Sequence, residues 1–504
     1  MKLYLQQKKN DFLFIPLILF LITIPLIMRD FTPRDELKYI DISNTMIKTH
    51  NFFVQYFNNE LYTDKPPLYF WIIIVSRYIF GGFYTYGIVV FNIIIESFML
   101  IKLYNFLKEH LNYKASITII FLIITSTLHY ISIVVVRMDV FLNSFIVLSL
   151  INFFDCYSNN NYKNMYKSYI YIGFAFLFKG LVGILTPMLV IIFFKFISKT
   201  KYTFKQINLL NGIIIIFLFI LFWLIPTYYI VGSDFINELF FKQVYGRAVN
   251  AYIHKEPFYY YIFMLPIIIF PWNIAFFYSL YKSVTNKSKT DLDKFLLLWI
   301  GTTLLYLSII ESKIIIYLLP ITVPLLIITY IELNKTSVKI KNIIFFITIF
   351  QFFILFIASF FIKSVDFIPF KNSIILSLFL IISIITIFTI KKNFKIAFYF
   401  SGSLIIMIAI CLGLNMNSFN DKVGFYKYKN IIEKYVPKNH QIYTLADDLL
   451  RTQFMIPNRI ISAKDNSNFI SGSIIFLKNK NLSDIKLNYI IIYKNNKFCF
   501  IEIK

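Results

Sequence analysis

Long apolar segments, separated by short polar loops, recur along most of the 504-residue chain. An apolar run of about 18 residues or more can cross the hydrocarbon core of a bilayer as an α-helix. The pattern therefore predicts a multi-span α-helical membrane protein with about thirteen transmembrane helices. The predicted spans lie near residues 12–28, 86–107, 115–135, 140–156, 168–178, 181–197, 209–231, 258–280, 295–310, 314–331, 343–362, 373–390 and 396–415.

The apolar stretch at residues 67–80 is short and contains Arg77, so it fits a span or a helix lying at the membrane surface. Lysine-rich loops decide between the two, because short cytoplasmic loops are enriched in Lys and Arg. If residues 67–80 lie at the surface, the lysine-rich loops from residue 108 onward share one side with the lysine-rich N-terminus. We therefore predict a cytoplasmic N-terminus, an outward C-terminus, and an outer loop over residues 29–85 with interfacial helices.

The last part of the chain has a different pattern. Helical periodicity at residues 426–435 and 447–455 alternates with strand-like runs, and Asn495-Asn496 is typical of a hairpin turn. We predict a transmembrane domain over residues 1–415 and a small α/β periplasmic domain over residues 416–504. The predicted strands lie at residues 441–445, 474–477, 489–493 and 498–503.

Composition excludes several other classes of protein. Apolar residues make up 58% of the chain and charged residues only 15%, against about 25% charged in a soluble domain. A soluble multidomain enzyme and a disordered chain are therefore excluded. A net charge of +24 would suggest nucleic acid in a soluble protein, but here a large share of the lysines lies in predicted cytoplasmic loops. The three cysteines show no metal-type spacing and no evident disulfide framework.

Acidic residues on the predicted outer side are the first candidates for chemistry. Asp35 and Glu36 begin a predicted helix in the first outer loop. Acids at this position also suit the helix dipole, so a structural role explains them as well as a catalytic one. Asp139 follows Arg137 at the end of a span, where anchoring of the topology is the alternative to chemistry.

Cations on the same side are the second group of candidates. Lys65 precedes two prolines and could reach lipid headgroups or bind a phosphate as a point charge. Lys179 interrupts two short apolar segments, so it should line protein or a water-filled cavity. The outward cations Lys65, Arg137, Arg247 and Lys313 suit a lipid-phosphate leaving group, with the acids serving an acceptor or a metal. The further outward candidates are Arg137, Arg247, His254, Lys313 and Tyr317.

Several segments of the chain carry a resemblance to a known family. In chain order they are PRDELKYIDISNTMI, NNELYTDKPPLYFW, VVVRMDVFLNSF, FLFKGLVGILTP, EPFYYYIFMLPIIIFPW and ESKIIIYLLPITVPL. In these segments the chain resembles bacterial membrane glycosyltransferases with the C-type (GT-C) fold. These are the aminoarabinose transferases of lipid A and relatives of the protein O-mannosyltransferases. The resemblance covers roughly residues 10–330, and the rest agrees with the family in layout only.

The resemblance implies a glycosyltransferase in the bacterial inner membrane. It would move a sugar from a polyprenyl-phosphate donor, such as one built on undecaprenyl phosphate, to lipid A or a related acceptor, with inversion. Asp35 matches the family's usual catalytic acid, and Lys65 matches a lysine that contacts the donor phosphate. Arg247 and Tyr317 fall where the aminoarabinose transferases have further phosphate contacts.

The resemblance leaves a metal cofactor open. Asp64 matches an acid that helps to hold zinc in the aminoarabinose transferases, but its histidine partner has no clean counterpart. Gln243 stands near the expected place and His254 follows later. We therefore carry Asp64 and His254 as candidate ligands of a divalent metal, zinc or magnesium, and name no certain cofactor.

Two other functions stay open beside a transferase that acts on lipid A. A transporter or flippase for a lipid-linked substrate would also need many spans and buried charges. Transporters often contain paired repeats with broken helices in corresponding positions, and no such pair is evident by eye. A protein O-glycosyltransferase of the same superfamily would differ only in its acceptor. In each case the partners are lipid-linked substrates and membrane lipids, and nucleic acid is not among them.

Overall fold

The computed structural model describes residues 2–504 with some gaps, and the chain divides into two compact units. The first unit comprises Met1–Ile27, Thr63–Tyr69 and Ile88–Asn415, and the second comprises Met28–Tyr62, Phe70–Gly87 and Met416–Lys504. The residues left out of the description are 33–34, 58–59, 199–201, 240–254, 362–393, 425, 438–439, 445–459, 463–468, 470, 486 and 495–497.

Helices make up most of the first unit. Each unit is built from separate parts of the chain. In chain order the helices are α1 (Lys2–Ile27), α2 (Asp35–Thr49), α3 (Leu68–Phe80), α4 (Thr85–His110), α5 (Tyr113–Ile124), α6 (Thr127–Val134), α7 (Asp139–Ser158), α8 (Tyr166–Lys179), α9 (Leu181–Ile197), α10 (Leu209–Val231), α11 (Ser233–Glu238), α12 (Tyr260–Ile268), α13 (Asn273–Thr285), α14 (Asp291–Ile309), α15 (Leu319–Lys335), α16 (Val338–Phe361), α17 (Phe394–Leu414), α18 (Met416–Val423) and α19 (Tyr426–Tyr435). The strands are β1 (Tyr56–Phe57), β2 (Glu60–Leu61), β3 (Ile442–Thr444), β4 (Ile460–Ser462), β5 (Ile474–Lys478), β6 (Tyr489–Lys494) and β7 (Phe498–Ile503).

Several helices are suited to cross a membrane, which agrees with the predicted class of protein. Among the described residues, five helices are long and apolar enough, or six segments if the bent pair α5–α6 counts as one span. The five are α4, α7, α10, α14, and α15 with the short 3₁₀ turn before it. The predicted span at residues 373–390 lies outside the described residues. The number thirteen therefore stays a prediction.

Two predicted spans contain a break that the hydrophobic pattern does not show. The span predicted at residues 115–135 consists of α5 and α6, which meet at 64°. The span predicted at residues 258–280 consists of α12 and α13. Hydropathy averages over such a break, because the residues on both sides of it and within it are mostly apolar.

Polar side chains satisfy the backbone groups at these breaks. The hydroxyls of Thr125 and Ser126 donate to carbonyls in the last turns of α5, at 2.6 and 2.8 Å. The carbonyl of Phe270 accepts from both the N–H and the hydroxyl of Thr127, each at 2.9 Å. The indole N–H of Trp272 donates to the Thr125 hydroxyl at 3.1 Å. These bonds join the two breaks, and they are needed because lipid offers no partners to an interrupted helix.

Helix α7 packs in the interior of the first unit, and α8 and α9 pack against it. In α7, 83% of an apolar 18-residue stretch is buried. In α10 only 17% of such a stretch is buried, as expected for a helix facing lipid. Helices α8 and α9 approach closely at Gly183, where a Cβ atom would lie 2.4 Å from the backbone carbon of Ala175. The close approach fixes the C-terminal end of α8 against α9.

The second unit contains a five-stranded mixed sheet with the strand order β4-β3-β5-β7-β6. Strand β3 is parallel to β4 and β5, and β7 is antiparallel to β5 and β6. Four of these strands, β3, β5, β6 and β7, coincide with predicted strands, whereas β4 was not predicted. The predicted helix at residues 447–455 and the turn at Asn495-Asn496 lie outside the described residues.

Helix α2, also in the second unit, is more enclosed than an amphipathic surface helix. Most residues from Glu36 to Met46 are buried, on nearly all sides of the helix. One covering element is α3, where the ring of Phe70 lies 5.9 Å from that of Tyr39. Helix α3 has 13 residues, about 20 Å in length and shorter than the roughly 30 Å hydrocarbon core.

Burial of α2 includes an acid, Asp41, which is only 9% exposed. Burial raises the pKa of Asp41 from 3.8 to about 6, and Lys48 offsets this only in part. A carboxyl with a raised pKa favours the folded state below its unfolded pKa, and this contribution is lost as the pH rises through about 6.

We expect Asp41→Asn to stabilise the protein above pH 7, by no more than about 3 kcal/mol, since the buried charge is removed. The variant should also flatten the change in melting temperature between about pH 4 and pH 6. Thermal unfolding in detergent over this pH range measures both effects. Glu60→Gln removes an exposed carboxylate of the same loop and should change neither. An unchanged pH profile for Asp41→Asn would contradict the prediction.

Candidate functional site

A buried carboxylate between two cations is the centre of the candidate site in the first unit. Asp139 begins α7, and its side chain is 2% exposed. Its Oδ2 lies 3.0 Å from Nε of Arg137, and its Oδ1 contacts the ammonium of Lys179. Asp139 therefore forms ion pairs with both Arg137 and Lys179.

The local sequence explains why Lys179 reaches Asp139. Lys179 is the last residue of α8, and Gly180 ends the helix with a φ of +68°, a conformation that suits glycine. The ammonium of Lys179 lies 4.1 Å from the ring centroid of Tyr317, within range of a cation–π interaction. The first turn of α7 also favours a negative charge at Asp139 through the helix dipole.

Lys65 adds another buried cation to this region. Its ammonium lies 3.5 Å from the carboxylate of Asp64, and its side chain is 11% exposed. The positive charges of Lys65 and Arg137 both act on Lys179 by repulsion. The structure thus brings together four of the predicted site residues, Lys65, Arg137, Asp139 and Tyr317, around Lys179.

Lys313 is held by backbone oxygens in another part of the first unit. Its ammonium donates to the carbonyls of Glu256 and Ile310 at 2.9 and 2.6 Å, and the residue is buried. Next to it, the carboxylate of Glu311 pairs with Lys255 at 3.2 Å. These contacts tie together the segments before α12 and after α14. A role of Lys313 at a phosphate stays a prediction.

The two acids of the first outer loop differ in their surroundings within the second unit. The guanidinium of Arg29 binds both carboxylate oxygens of Glu36, at 2.8 and 2.7 Å. The same carboxylate accepts from the N–H and the hydroxyl of Thr32, at 2.8 and 2.9 Å. Asp35 is 35% exposed and lies 3.5 Å from the ammonium of Lys38. Glu36 therefore holds the segment before α2, and Asp35 is the acid more open to solvent.

Three residues named in the sequence analysis, Arg247, His254 and Gln243, lie outside the described residues. Within the described parts of the chain, no three His, Cys, Asp or Glu side chains come together as a metal site would require. The carboxylate of Asp64 lies 3.5 Å from the ammonium of Lys65. The zinc or magnesium ion therefore stays a prediction.

Sequence reasoning missed several contacts because each joins distant residues. Lys179 was predicted to line protein or a water-filled cavity, but nothing in the pattern names Asp139, 40 positions earlier, as its partner. Arg29 lies seven residues before Glu36, a spacing that by itself predicts no contact. The burial of Asp41 comes from packing on α2, which its own periodicity does not show.

We expect Asp139→Asn to be more destabilising than Lys179→Met, because it leaves the buried Lys179 and the half-buried Arg137 without their shared counter-charge. The loss should be about 3–5 kcal/mol. The double variant Asp139→Asn/Lys179→Met should be more stable than Asp139→Asn alone, since it removes one of the two cations. Thermal unfolding in detergent measures these effects, and Lys114→Met, at an exposed lysine, serves as the control. If the losses of stability in the two single variants simply add in the double variant, the three charges do not act as one network.

Comparisons with known sequences agree with the resemblance seen in the motifs. A family model described as dolichyl-phosphate-mannose-protein mannosyltransferase matches residues 64–225. The undecaprenyl phosphate-α-4-amino-4-deoxy-L-arabinose arabinosyl transferase of Wigglesworthia glossinidia brevipalpis is 27% identical over 65% of this chain and 59% of its own length. Its counterpart in Proteus mirabilis is 26% identical over 66% of this chain and 61% of its own length. The chain thus spans about three fifths of the length of the curated relatives it matches.

Comparison with solved structures shows the fold. The crystal structure of ArnT from Cupriavidus metallidurans bound to undecaprenyl phosphate matches with a TM-score of 0.77, at 15% identity, over 97% of each chain. The archaeal oligosaccharyltransferase AglB from Archaeoglobus fulgidus matches with a TM-score of 0.52, at 12% identity, over 94% of this chain and 70% of its own. The chain therefore has an ArnT-like GT-C membrane fold, and its resemblance to the bacterial C-type glycosyltransferases is confirmed.

Proposed function

We propose that this chain is an inverting glycosyltransferase of the bacterial inner membrane. It moves a sugar from a polyprenyl-phosphate donor to lipid A or a related acceptor on the periplasmic face. The observation that carries the proposal is the pairing of Asp139 with Arg137 and Lys179, with the ring of Tyr317 and the charge of Lys65 acting on Lys179, in an ArnT-like fold. Two buried cations, Lys65 and Lys179, and the half-buried Arg137 suit a phosphate that gains charge.

The proposed topology has thirteen spans, a cytoplasmic N-terminus and a periplasmic domain over residues 416–504. The distribution of lysine in alternate loops supports this orientation. It places Arg137 and Lys179, at the start of α7 and the end of α8, toward the periplasm. The opposite ends of these two helices then lie about 20–30 Å away, toward the cytoplasm.

The donor half of the reaction is the departure of polyprenyl phosphate. As the bond between the anomeric carbon and the phosphate oxygen breaks, its electron pair stays with the phosphate. Lys65, Arg137 and Lys179 stabilise this charge, and the hydroxyl of Tyr317 donates a hydrogen bond to it. The resemblance adds Arg247 to this set, and Lys313 is kept as a further cation.

The acceptor half is attack on the opposite face of the sugar, which inverts the anomeric carbon. With a hydroxyl acceptor, Asp35 takes the proton as general base. With a phosphate acceptor the nucleophile is already ionised, and Asp35 orients it instead. Arg29 binds both carboxylate oxygens of Glu36, and Thr32 binds one of them. The role of Glu36 is therefore to hold Asp35 in place. No step is assigned to a metal.

Mass analysis of a deletion strain tests the proposed function in cells. We expect a sugar carried by lipid A to be lost, while surface glycoproteins keep their masses. Loss of glycan from proteins with unchanged lipid A would instead establish a protein O-glycosyltransferase. If both keep their sugars and only the distribution of a lipid-linked substrate changes, the chain is a transporter and the proposal is wrong.

We expect Asp35→Asn to lower transfer at least a hundredfold while the protein accumulates normally in the membrane. The reason is that an amide neither takes a proton nor orients a nucleophile by charge. Sugar transfer in membrane preparations, normalised to protein amount, measures this. Asp234→Asn removes an exposed acid of another predicted outer loop and should keep full activity. Full activity of Asp35→Asn would remove Asp35 from the mechanism.

We expect Lys65→Ala to reduce kcat/KM for the donor by about 10–100-fold, the value of a hydrogen bond to a charged group. Titration of the donor at saturating acceptor measures this parameter. Lys114→Ala, at an exposed lysine in a predicted cytoplasmic loop, should leave it unchanged. If Lys65→Ala keeps the normal dependence on donor, Lys65 is only an anchor for lipid headgroups.

A further inference from the structure

Helix α6 is a short half-helix that leads directly into the candidate site. It begins after the bend that follows α5 and ends at Val134, three residues before Arg137. The segment between α6 and α7 therefore sets where Arg137 and Asp139 stand. Its carbonyls at the end of α6 have no partners within the helix and need donors from elsewhere.

Asn92 of α4 supplies these donors. Its Nδ2 donates to the carbonyls of Ile133 and Val135, at 2.8 and 3.2 Å. The Val135 carbonyl also accepts from the backbone N–H of Arg137, at 2.9 Å. One carbonyl is thus shared between Asn92 and the turn that presents Arg137. Two hydrogen bonds to this carbonyl therefore link Asn92 to the backbone of Arg137.

The surroundings of Asn92 indicate that these two bonds are its contribution. The residue is fully buried, and its Oδ1 has no hydrogen-bond partner among the described residues. A buried acceptor without a partner costs free energy that an apolar side chain of similar size would avoid. The asparagine is therefore unfavourable for packing alone, and the donated bonds offset its cost.

Glu96, one turn further along α4, fixes the body of α6. Its Oε1 contacts Nε2 of His129, and its Oε2 accepts from the hydroxyl of Ser144 at 3.4 Å. The other ring nitrogen of His129 lies 3.5 Å from the hydroxyl of Thr322. Glu96 and His129 are each 1% exposed at the side chain. The pair joins α4, α6, α7 and α15 in the interior of the first unit.

We propose that Asn92 and Glu96 are positioning residues for Arg137 and Asp139. Together they hold α6 by its body and by its C-terminal carbonyls, so that the turn after it presents Arg137 to the donor phosphate. They touch no substrate and act only through the segment they hold. This inference rests on the proposed function, because it assigns Arg137 to the leaving phosphate.

A double-mutant cycle tests whether Asn92 acts through Arg137. The purified full-length variants Asn92→Leu, Arg137→Gln and the double variant are compared in transfer from the polyprenyl-phosphate donor. We expect Asn92→Leu to lower kcat about tenfold, with the donor KM changed less than threefold. In the Arg137→Gln background the same substitution should lower kcat less than twofold, because residues that act as a unit are not additive.

Two further variants separate positioning from loss of packing. Ser149→Ala removes a buried hydrogen bond to Ser168 between α7 and α8, at 2.9 Å, and should keep kcat. Glu96→Gln keeps an acceptor for His129 and should stay within threefold of the native kcat, whereas Glu96→Leu should lose about tenfold. Equal losses of kcat in Glu96→Gln and Glu96→Leu would overturn the positioning role of Glu96.

Additive losses of kcat in the cycle would overturn the proposal. Failure of Asn92→Leu to accumulate would also overturn it, because Asn92 would then support the fold as a whole. The native protein in the same assay tests the proposed function by itself. If the native protein transfers no sugar, the proposed function fails. The same cycle on melting temperatures then decides the inference, with coupling supporting it and additivity overturning it.

Discussion

The ion pairs of Asp139 with Arg137 and Lys179 are the constraint on which the rest of the first unit depends. A carboxylate and two cations in the interior of a membrane bundle are costly unless they neutralise one another. Their contact requires the start of α7 and the end of α8 to meet. Gly180 and the close approach at Gly183 make this possible by ending α8 sharply and bringing α9 against it. The charge network and the helix packing therefore explain each other.

The same constraint explains where the polar side chains of the bundle lie. Helix breaks expose backbone groups that lipid leaves without partners, so each break needs side chains that replace the missing bonds. Thr125, Thr127 and Trp272 do this at the bends of α5–α6 and α12–α13, and Asn92 does it at the end of α6. The end of α6 leads into the segment that carries Arg137 and Asp139.

The sequence predicted helices and strands far better than it predicted contacts. Apolar runs and alternation are local, so the spans near α4, α7, α10 and α14 and the strands β3, β5, β6 and β7 appear where expected. The helix breaks at α5–α6 and α12–α13 were not predicted, because they do not change the hydropathy of the sequence. The motifs named Lys65, Arg137, Asp139 and Tyr317, which the structure brings together, but the pairing of Lys179 with Asp139 depends on tertiary packing. The bidentate bond of Arg29 to Glu36 and the burial of Asp41 depend on it as well.

The central claim is that this protein transfers a sugar from a lipid phosphate. Purified protein in detergent, supplied with an undecaprenyl-phosphate sugar and lipid A, tests it by quantifying both products and the anomeric configuration by NMR. We expect free undecaprenyl phosphate and glycosylated lipid A in equal amounts, with the configuration of the donor inverted. An intact donor in detergent, combined with its movement between leaflets in vesicles that contain the protein, would contradict the claim and identify a transporter.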